Sequence, residues 1–539
     1  MTSSLKSTTL DNDIEGTMDL QELSKSDDIL EAMNKELQHL EEESVTRPFG
    51  LFIWKSPSVF TAVLACFASI GGLLYGIDLT LISGANLYFP KDLHLSSGQE
   101  SQVVSFMPLG GVLGALMIYL LNESLGRKPT IMIAAAFYTI GGILEAASQS
   151  YGMLISARLI VGVGVGIELG SVPMYIAECS TKRWRGGLVS LYQLMINFGM
   201  LLGYADSAIF HGVPGNWRYM LGSCCLFSVI LLVGMIFFPE SPRWLMRRGR
   251  KVDSYITWKK IRGFEEREEK EEFFYMEEVV TEERDEAAKR VVWKDFLIKP
   301  RCRRAAVVSL VYMILCQFTG ISSISYYMST LMEKSGLSPD NALYTSMGPG
   351  FVYFGATIPA VFLMDAWGRR AVILTLLPGI VIGDFITGFS FLATKTSVKE
   401  GIYVWGICTY YLFWGSWGPA QWVITSEVFP TYLRSHGVML NGVVNMLSNF
   451  ATAYPFTRML SALTPTGLFC GFYAGICVLL WIFSFLFVPE TKGKTLEEIN
   501  AIYNKSHWDV CRENLRNGIE AFKDIIHGNW NRVWVYQRG

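Results

Sequence analysis

Charge is what this chain has least of. Only 17% of its 539 residues are Asp, Glu, Lys or Arg, against about 25% in a typical soluble protein. Hydrophobic residues make up 51%, and the mean hydropathy is +0.30. That balance argues against the string of water-soluble domains that length alone would suggest. Histidine is scarce as well: the six residues form no cluster. The ten cysteines are scattered, most of them inside apolar runs (Cys66, Cys224, Cys225, Cys316, Cys408, Cys470, Cys477). None has metal-ligand spacing, so they read as small packing residues. A net charge of −2 gives no electrostatic footprint for a nucleic-acid partner. There is no nucleophile–base set and no metal constellation, so neither an enzyme nor a cofactor is expected. Residues 1–56 are mostly polar and acidic, which predicts no amino-terminal signal peptide.

What is abundant is long apolar block. Twelve are counted, at about 58–84, 103–121, 129–148, 152–175, 187–208 and 218–238, then 304–329, 342–364, 371–393, 402–424, 436–457 and 467–488. Each approaches the ~20 residues that cross a ~30 Å hydrocarbon core. They must be helices, because a spanning barrel would show alternating polarity, which is absent. The expected fold class is an all-α membrane protein with twelve transmembrane helices in two six-helix halves. The predicted divisions are a largely disordered amino-terminal tail (1–57), a first half (58–238), a water-facing helical insert (239–302), a second half (303–489) and a carboxy-terminal tail (490–539). Within the first tail, DDILEAMNKELQHLEEE could form a short amphipathic helix, but its EEE run favours a solvated chain.

Basic residues set the orientation. With the amino terminus inside, short cytosolic loops hold Arg127–Lys128, Lys182–Arg183, Arg185, Arg369–Arg370 and Arg434, and the insert is basic where it leaves span 6. The other side has scattered cations such as Lys91, Lys334, Lys395 and Lys399. Both termini and the insert are therefore expected in the cytosol.

The halves repeat. Gly126-Arg127-Lys128 after span 2 matches Gly368-Arg369-Arg370 after span 8, and each glycine has an acid three residues before it, Glu123 and Asp365. Glu178 and Arg185 match Glu427 and Arg434; Pro239-Glu240-Ser241 matches Pro489-Glu490-Thr491. The offsets are 242, 249 and 250 residues. Three signals at nearly one offset imply a duplicated fold around a central path. These acids and arginines can pair across helices in one state and part in another; the plainer alternative is positive-inside anchoring.

With these motifs in view, the chain resembles the sugar porters of the major facilitator superfamily over roughly 58–500. The resemblance is carried by GGLLYGID (71–78), ESLGRK (123–128), SARLIVGVGVG (156–166), PMYIAE (173–178), RGGLVSLYQL (185–194), PESPRWL (239–245), QFTGISSISYY (317–327), DAWGRR (365–370), GSWGPAQWV (415–423), SEVFPTYLR (426–434) and PETKGKTLEEI (489–499). It implies a monosaccharide or polyol held near the midplane between two rocking halves. It places sugar hydrogen bonds on Gln193, Gln317 and Asn445, an apolar ring face on Trp422, and an outer gate on Tyr326 and Tyr327. Amides that pair with neighbouring hydroxyls and an aromatic under the C–H face suit a sugar on chemical grounds too. The chain departs from the family at Cys316, Ser322 and Tyr353, where amides usually touch the sugar. Ser322 stays in the expected pocket, and the changes argue against glucose. Ketohexose (fructose-like) proton symporters of fungi are one subgroup it resembles.

Asp78 in span 1 is costly in hydrocarbon. In the family, proton-coupled members carry Asp here and passive facilitators tend to carry a neutral residue. Counting residues from the two ends puts Arg158 of span 4 at a similar depth. The two form either a proton-coupling pair or a static buried ion pair. Glu168 of span 4 reads either as a second proton carrier or as part of the cytosolic charge cluster; Glu145 and Asp384 receive no role. The expected function is proton symport of a monosaccharide, a hexose such as fructose or a polyol. The alternatives are a passive uniporter and a non-transporting sugar sensor. The expected partners are sugar, proton and lipid bilayer, for a monomer in the plasma membrane.

Overall fold

The computed structural model describes residues 20–44, 57–181, 184–264, 266–289, 292–429, 433–490, 492 and 502–527. All regular structure among them is helical. Two further helices flank the bundle, α1 (Leu20–Ser44) and α17 (His507–Ile526). The first six crossing elements are α2 (Pro57–Ala85), α3 (Ser97–Ser124), α4 (Arg127–Ala146), α5 (Tyr151–Cys179), α6 (Arg185–Phe210) and α7 (Asn216–Met235). The insert contributes α8 (Pro242–Arg247), α9 (Lys251–Ile261) and α10 (Arg267–Lys289). Then come α11 (Pro300–Tyr326), α12 (Pro339–Trp367), α13 (Arg369–Ser390), α14 (Thr396–Glu427), α15 (Arg434–Ala453) and α16 (Thr464–Phe487).

Ten of these are long and apolar enough to cross a membrane; α14 and α15 are not among the ten. Composition explains the shortfall against the twelve expected. α14 holds Trp405, Trp414, Trp417 and Trp422 among its tyrosines and glycines, and α15 carries Asn441, Asn445 and Asn449. Apart from Trp405, which is 63% exposed, these tryptophans and asparagines are buried or half-buried inside the protein.

Packing repeats along the chain. In the first part α2 packs on α6, α3 on α5, and α4 on α5 and α7. In the second part α11 packs on α15, α12 on α14, and α13 on α14 and α16. Contacts between the parts are reciprocal as well: α3 meets α15 and α6 meets α12. Close approach of α3 and α5 needs glycine. A Cβ at Gly166 would lie 2.1 Å from the Gly111 carbonyl oxygen, and one at Gly162 would lie 2.0 Å from that of Met107. Small residues let helix backbones touch where lipid gives no hydrophobic drive.

The amino-terminal tail, of which residues 1–19 and 45–56 lie outside the described residues, differs in part from expectation. Residues 20–44 form a helix rather than a solvated chain, because Leu37 and Leu40 are buried against a small apolar cluster of the insert that includes Tyr255, Trp258 and Phe273. Glu36 and Glu41 pair with Lys251 and Lys259, and Lys270 Nζ donates to Asn34 at 2.8 Å. The apolar stripe, not the EEE run, decides the outcome. Helix α17 packs on α16.

Candidate functional site

The basic end of the bundle is built on two glycines. Gly126 and Gly368 have φ of +106° and +100°, and ψ of 173° and 156°, a region essentially reserved for glycine. Each turns the chain so that the next helix starts with its N–H groups facing a glutamate. Glu240 Oε1 accepts from Arg127 N at 2.9 Å and Oε2 from Lys128 N at 3.1 Å. Glu490 accepts from Arg369 N and Arg370 N, both at 3.1 Å. A carboxylate at a helix N-terminus satisfies orphan donors and opposes the dipole. The Pro-Glu motifs, expected in a side-chain charge network, thus bind backbone. Around the first cap, Arg127 reaches Glu178 at 2.9 Å, Glu178 accepts from Ser241 Oγ, and Arg247 reaches Glu123 at 2.9 Å. Arg185 makes no ion pair among the described residues. The side chains of Asp365, Glu427 and Arg434 lie outside the described residues.

Deeper in the first part, α2, α4 and α5 bring three charges together. Arg158 Nη1 donates to Asp78 Oδ1 at 2.7 Å and to Glu145 Oε1 at 3.3 Å. All three side chains are sealed from solvent, at 2% exposure or less. Glu145, left without a role on sequence grounds, is a full member. The available signal was its distance of thirteen residues from Arg158 across the short turn between α4 and α5, which places both near one end of adjacent antiparallel helices. Asp78 Oδ2, Glu145 Oε2 and two Arg158 nitrogens have no partner among the described residues. One guanidinium thus faces two carboxylates.

Glu168 joins neither this triad nor the basic-end network. It is buried against α2 at Gly71, where a Cβ would lie 3.0 Å from its Oε2. Neither oxygen has a hydrogen-bond partner among the described residues, and the buried hydroxyls of Tyr138 and Tyr192 have none either. Asp384 is buried between α13 and α16, where Cys477 Sγ donates to it at 3.7 Å.

The polar interior runs across both parts. Helix α11 breaks at Gly320, φ +94°, where a Cβ would lie 2.7 Å from the Tyr473 ring. The break brings Ser322 Oγ to Gln317 Oε1 at 3.1 Å. On α6, Gln193 Nε2 donates to Asn197 Oδ1 at 3.2 Å, and Asn197 Nδ2 donates to Thr357 of α12 at 2.5 Å. Asn197 and Thr357 were missed, although Asn197 lies one helical turn from Gln193 on the same face. On α15, Asn441, Asn445 and Asn449 form a stripe at i, i+4 and i+8 that faces α11: Asn441 accepts from Ser309 at 2.9 Å, Asn445 contacts Met313 Sδ at 3.3 Å, and Asn449 reaches Tyr326 Oη at 3.4 Å. Only the middle asparagine was singled out in the sequence. Tyr353 sits in an aromatic group with Tyr411 and Trp414, ring centroids 5.1 and 6.4 Å away. Cys316 is buried on α11. Trp422 is half-buried on α14.

The end opposite the basic motifs is shut. Tyr326 and Tyr327 are fully buried, and Tyr327 stacks on Phe456 at 4.5 Å. Ser83 Oγ accepts from Ser329 N at 2.8 Å, Asn86 Nδ2 reaches Thr330 at 3.3 Å, and Ser101 meets Thr457 at 2.6 Å.

Comparison with known proteins agrees with this layout. The family model described as "Sugar (and other) transporter" matches residues 64–503. The myo-inositol transporter FST1 of Gibberella moniliformis is 45% identical over 519 residues, covering 95% of this chain and 90% of that protein. The arabinose-proton symporter of Escherichia coli is 30% identical over 466 residues, covering 85% and 96%. The solved structure of the proton:xylose symporter XylE of E. coli, bound to 6-bromo-6-deoxy-D-glucose, superposes with a TM-score of 0.71 at 27% identity, covering 84% of this chain and all of that one.

Proposed function

This multi-pass membrane protein belongs to the sugar (and other) transporter family, and from that premise we propose that it imports a cyclic polyol or hexose with one proton per molecule by alternating access. The observation that carries the reading is the buried Asp78–Arg158–Glu145 triad. Two carboxylates and one guanidinium, all out of water, hold a balanced charge only if one proton is bound, because an uncompensated charge in such a place costs several kcal/mol. The triad is therefore a one-proton store. Opening toward one side lets the proton in; opening toward the other lets water hydrate Asp78 and release it.

The remaining roles follow from position. Gln193, Gln317, Ser322 and Asn445 bind hydroxyls, with Asn197 as a further donor, and Trp422 covers the ring face. Tyr326 and Tyr327 close the outer gate. The fold is read as twelve spans in two six-helix halves, 58–238 and 303–489, joined by the insert 239–302, with tails 1–57 and 490–539. Both termini face the cytosol, the membrane is the plasma membrane, and the unit is a monomer. Among substrates, a cyclic polyol such as an inositol is favoured over fructose, because the 45% identical relative is a myo-inositol transporter. Exchange of the usual amides for Cys316, Ser322 and Tyr353 fits a pocket not built for glucose. Glu168, which has no ion pair among the described residues, takes no part in the proton step.

The test is labelled uptake of myo-inositol, fructose, glucose and xylose in transport-null cells, with and without a protonophore. Protonophore-sensitive accumulation led by the polyol supports the reading. Equilibration unaffected by the protonophore would establish the passive uniporter instead.

A further inference from the structure

Twelve of the described residues of helix α17 fall into four arcs. At about 100° per residue and with Trp508 at zero, His507, Asn514 and Gly518 fall between about 240° and 280°. This arc meets α16: Asn514 Nδ2 donates to the Leu486 carbonyl at 2.9 Å, Gly518 lies on the Phe485 ring, and the His507 ring is 6.5 Å from that of Phe487. On the same scale, Leu515 and Ile519 fall within about 20° of Trp508. These three are 44%, 50% and 69% exposed, respectively. Next to them, between about 40° and 80°, come Arg512, Arg516 and Lys523; all are exposed and make no ion pair among the described residues. Beyond these, between about 100° and 140°, stand Asp509, Glu513 and Glu520, with Glu513 paired to Lys505 at 2.8 Å.

The order apolar, cationic, acidic matches the order of layers in a leaflet from acyl chain to phosphate to water. Helix α16, on which α17 packs, itself carries exposed apolar side chains at Val478, Leu479 and Ile482. We propose that α17 lies in the interface of the leaflet at the basic end, with Trp508, Leu515 and Ile519 in the acyl boundary and Arg512, Arg516 and Lys523 on the phosphates of anionic phospholipid. An amphipathic helix binds a bilayer through this combination of apolar burial and charge, and tryptophan favours that depth. The inference stands apart from the transport mechanism.

Full-length protein carrying p-benzoylphenylalanine in place of Leu515 or Ile519, and separately in place of Asp509 or Glu513, is reconstituted into phosphatidylcholine vesicles containing phosphatidylglycerol and irradiated. Positions 515 and 519 are expected to form lipid adducts at least tenfold more often than 509 and 513. Equal labelling at all four, or adducts to a second copy of the chain, would overturn the proposal. As a second readout, phosphatidylglycerol should raise the unfolding midpoint of wild type, while the triple variant Arg512→Gln, Arg516→Gln, Lys523→Gln loses that rise and Glu513→Gln keeps it. A rise retained in the triple variant would remove the phosphate contacts.

Discussion

If one proton is stored in the triad, the steady-state concentration ratio is fixed by arithmetic. Moving one charge through 100 mV is worth about 2.3 kcal/mol, and about 1.4 kcal/mol is a factor of ten. For an uncharged substrate at equal pH on both sides, wild type in proteoliposomes clamped at about 100 mV should accumulate about 50-fold. Two protons per cycle would give about 2,500-fold on the same scale. Asp78→Asn keeps the side-chain volume but removes the acid beside Arg158, so the ratio should fall to about one. Exchange of labelled for unlabelled substrate should persist, since it needs no net proton movement. The same collapse is expected of Glu145→Gln, which leaves Asp78 and Arg158 as a neutral pair with no proton to hold. Ratio and exchange are measured on the same vesicles, with external pH recorded during uptake. An Asp78→Asn protein that still concentrates substrate would refute the reasoning outright.

Glu168→Gln should leave both the ratio and the thermal midpoint near wild type, whereas Glu168→Ala should cost about 2–5 kcal/mol as other buried large-to-small changes do; loss of coupling in the glutamine variant would show that Glu168 cycles. Gly126→Ala should destabilise by about 1–3 kcal/mol from backbone strain alone, and more because the new Cβ would lie 2.3 Å from Glu240 Oε2; a thermal melt of the purified protein reads this. Gln193→Ala and Gln317→Ala should each raise the apparent substrate constant about 2- to 13-fold, the worth of a hydrogen bond of about 0.5–1.5 kcal/mol, and Trp422→Ala should raise it too through loss of the apolar ring contact. Unchanged saturation curves at normal expression would move the pocket elsewhere.

Crossing helices were legible because apolar length is a one-dimensional property. The two that fell short, α14 and α15, did so through the residues that make them interior, Trp414, Trp417 and the Asn441–Asn445–Asn449 stripe. Asp78 and Arg158 could be matched by depth, since antiparallel helices convert residue counts into height. Glu145 escaped because its meaning lies in which face of α4 turns toward Arg158, and that is set by packing of α4 on α5 and α7. The glutamate caps escaped for another reason. Glu240 is read as a charge in a string of letters, but its partners are backbone N–H groups, which every residue possesses and no sequence pattern marks. Helix α1 was misjudged by weighing its acidic run over Leu37 and Leu40, whose burial depends on an insert more than 200 residues away.

The glutamate caps also say where a conformational cycle meets no resistance. Glu240 ties the end of α7 to the start of α4, and Glu490 ties the end of α16 to the start of α13. Arg127, Glu178, Ser241, Glu123 and Arg247 all lie in the first part or at the start of the insert. These fastenings stiffen each part internally, and in the proposed alternating-access cycle they can stay intact while the contacts between the parts change. The work of changing state falls instead on the links between the two parts, such as Ser83 with Ser329, Asn197 with Thr357, and the Tyr119 and His436 rings 4.3 Å apart.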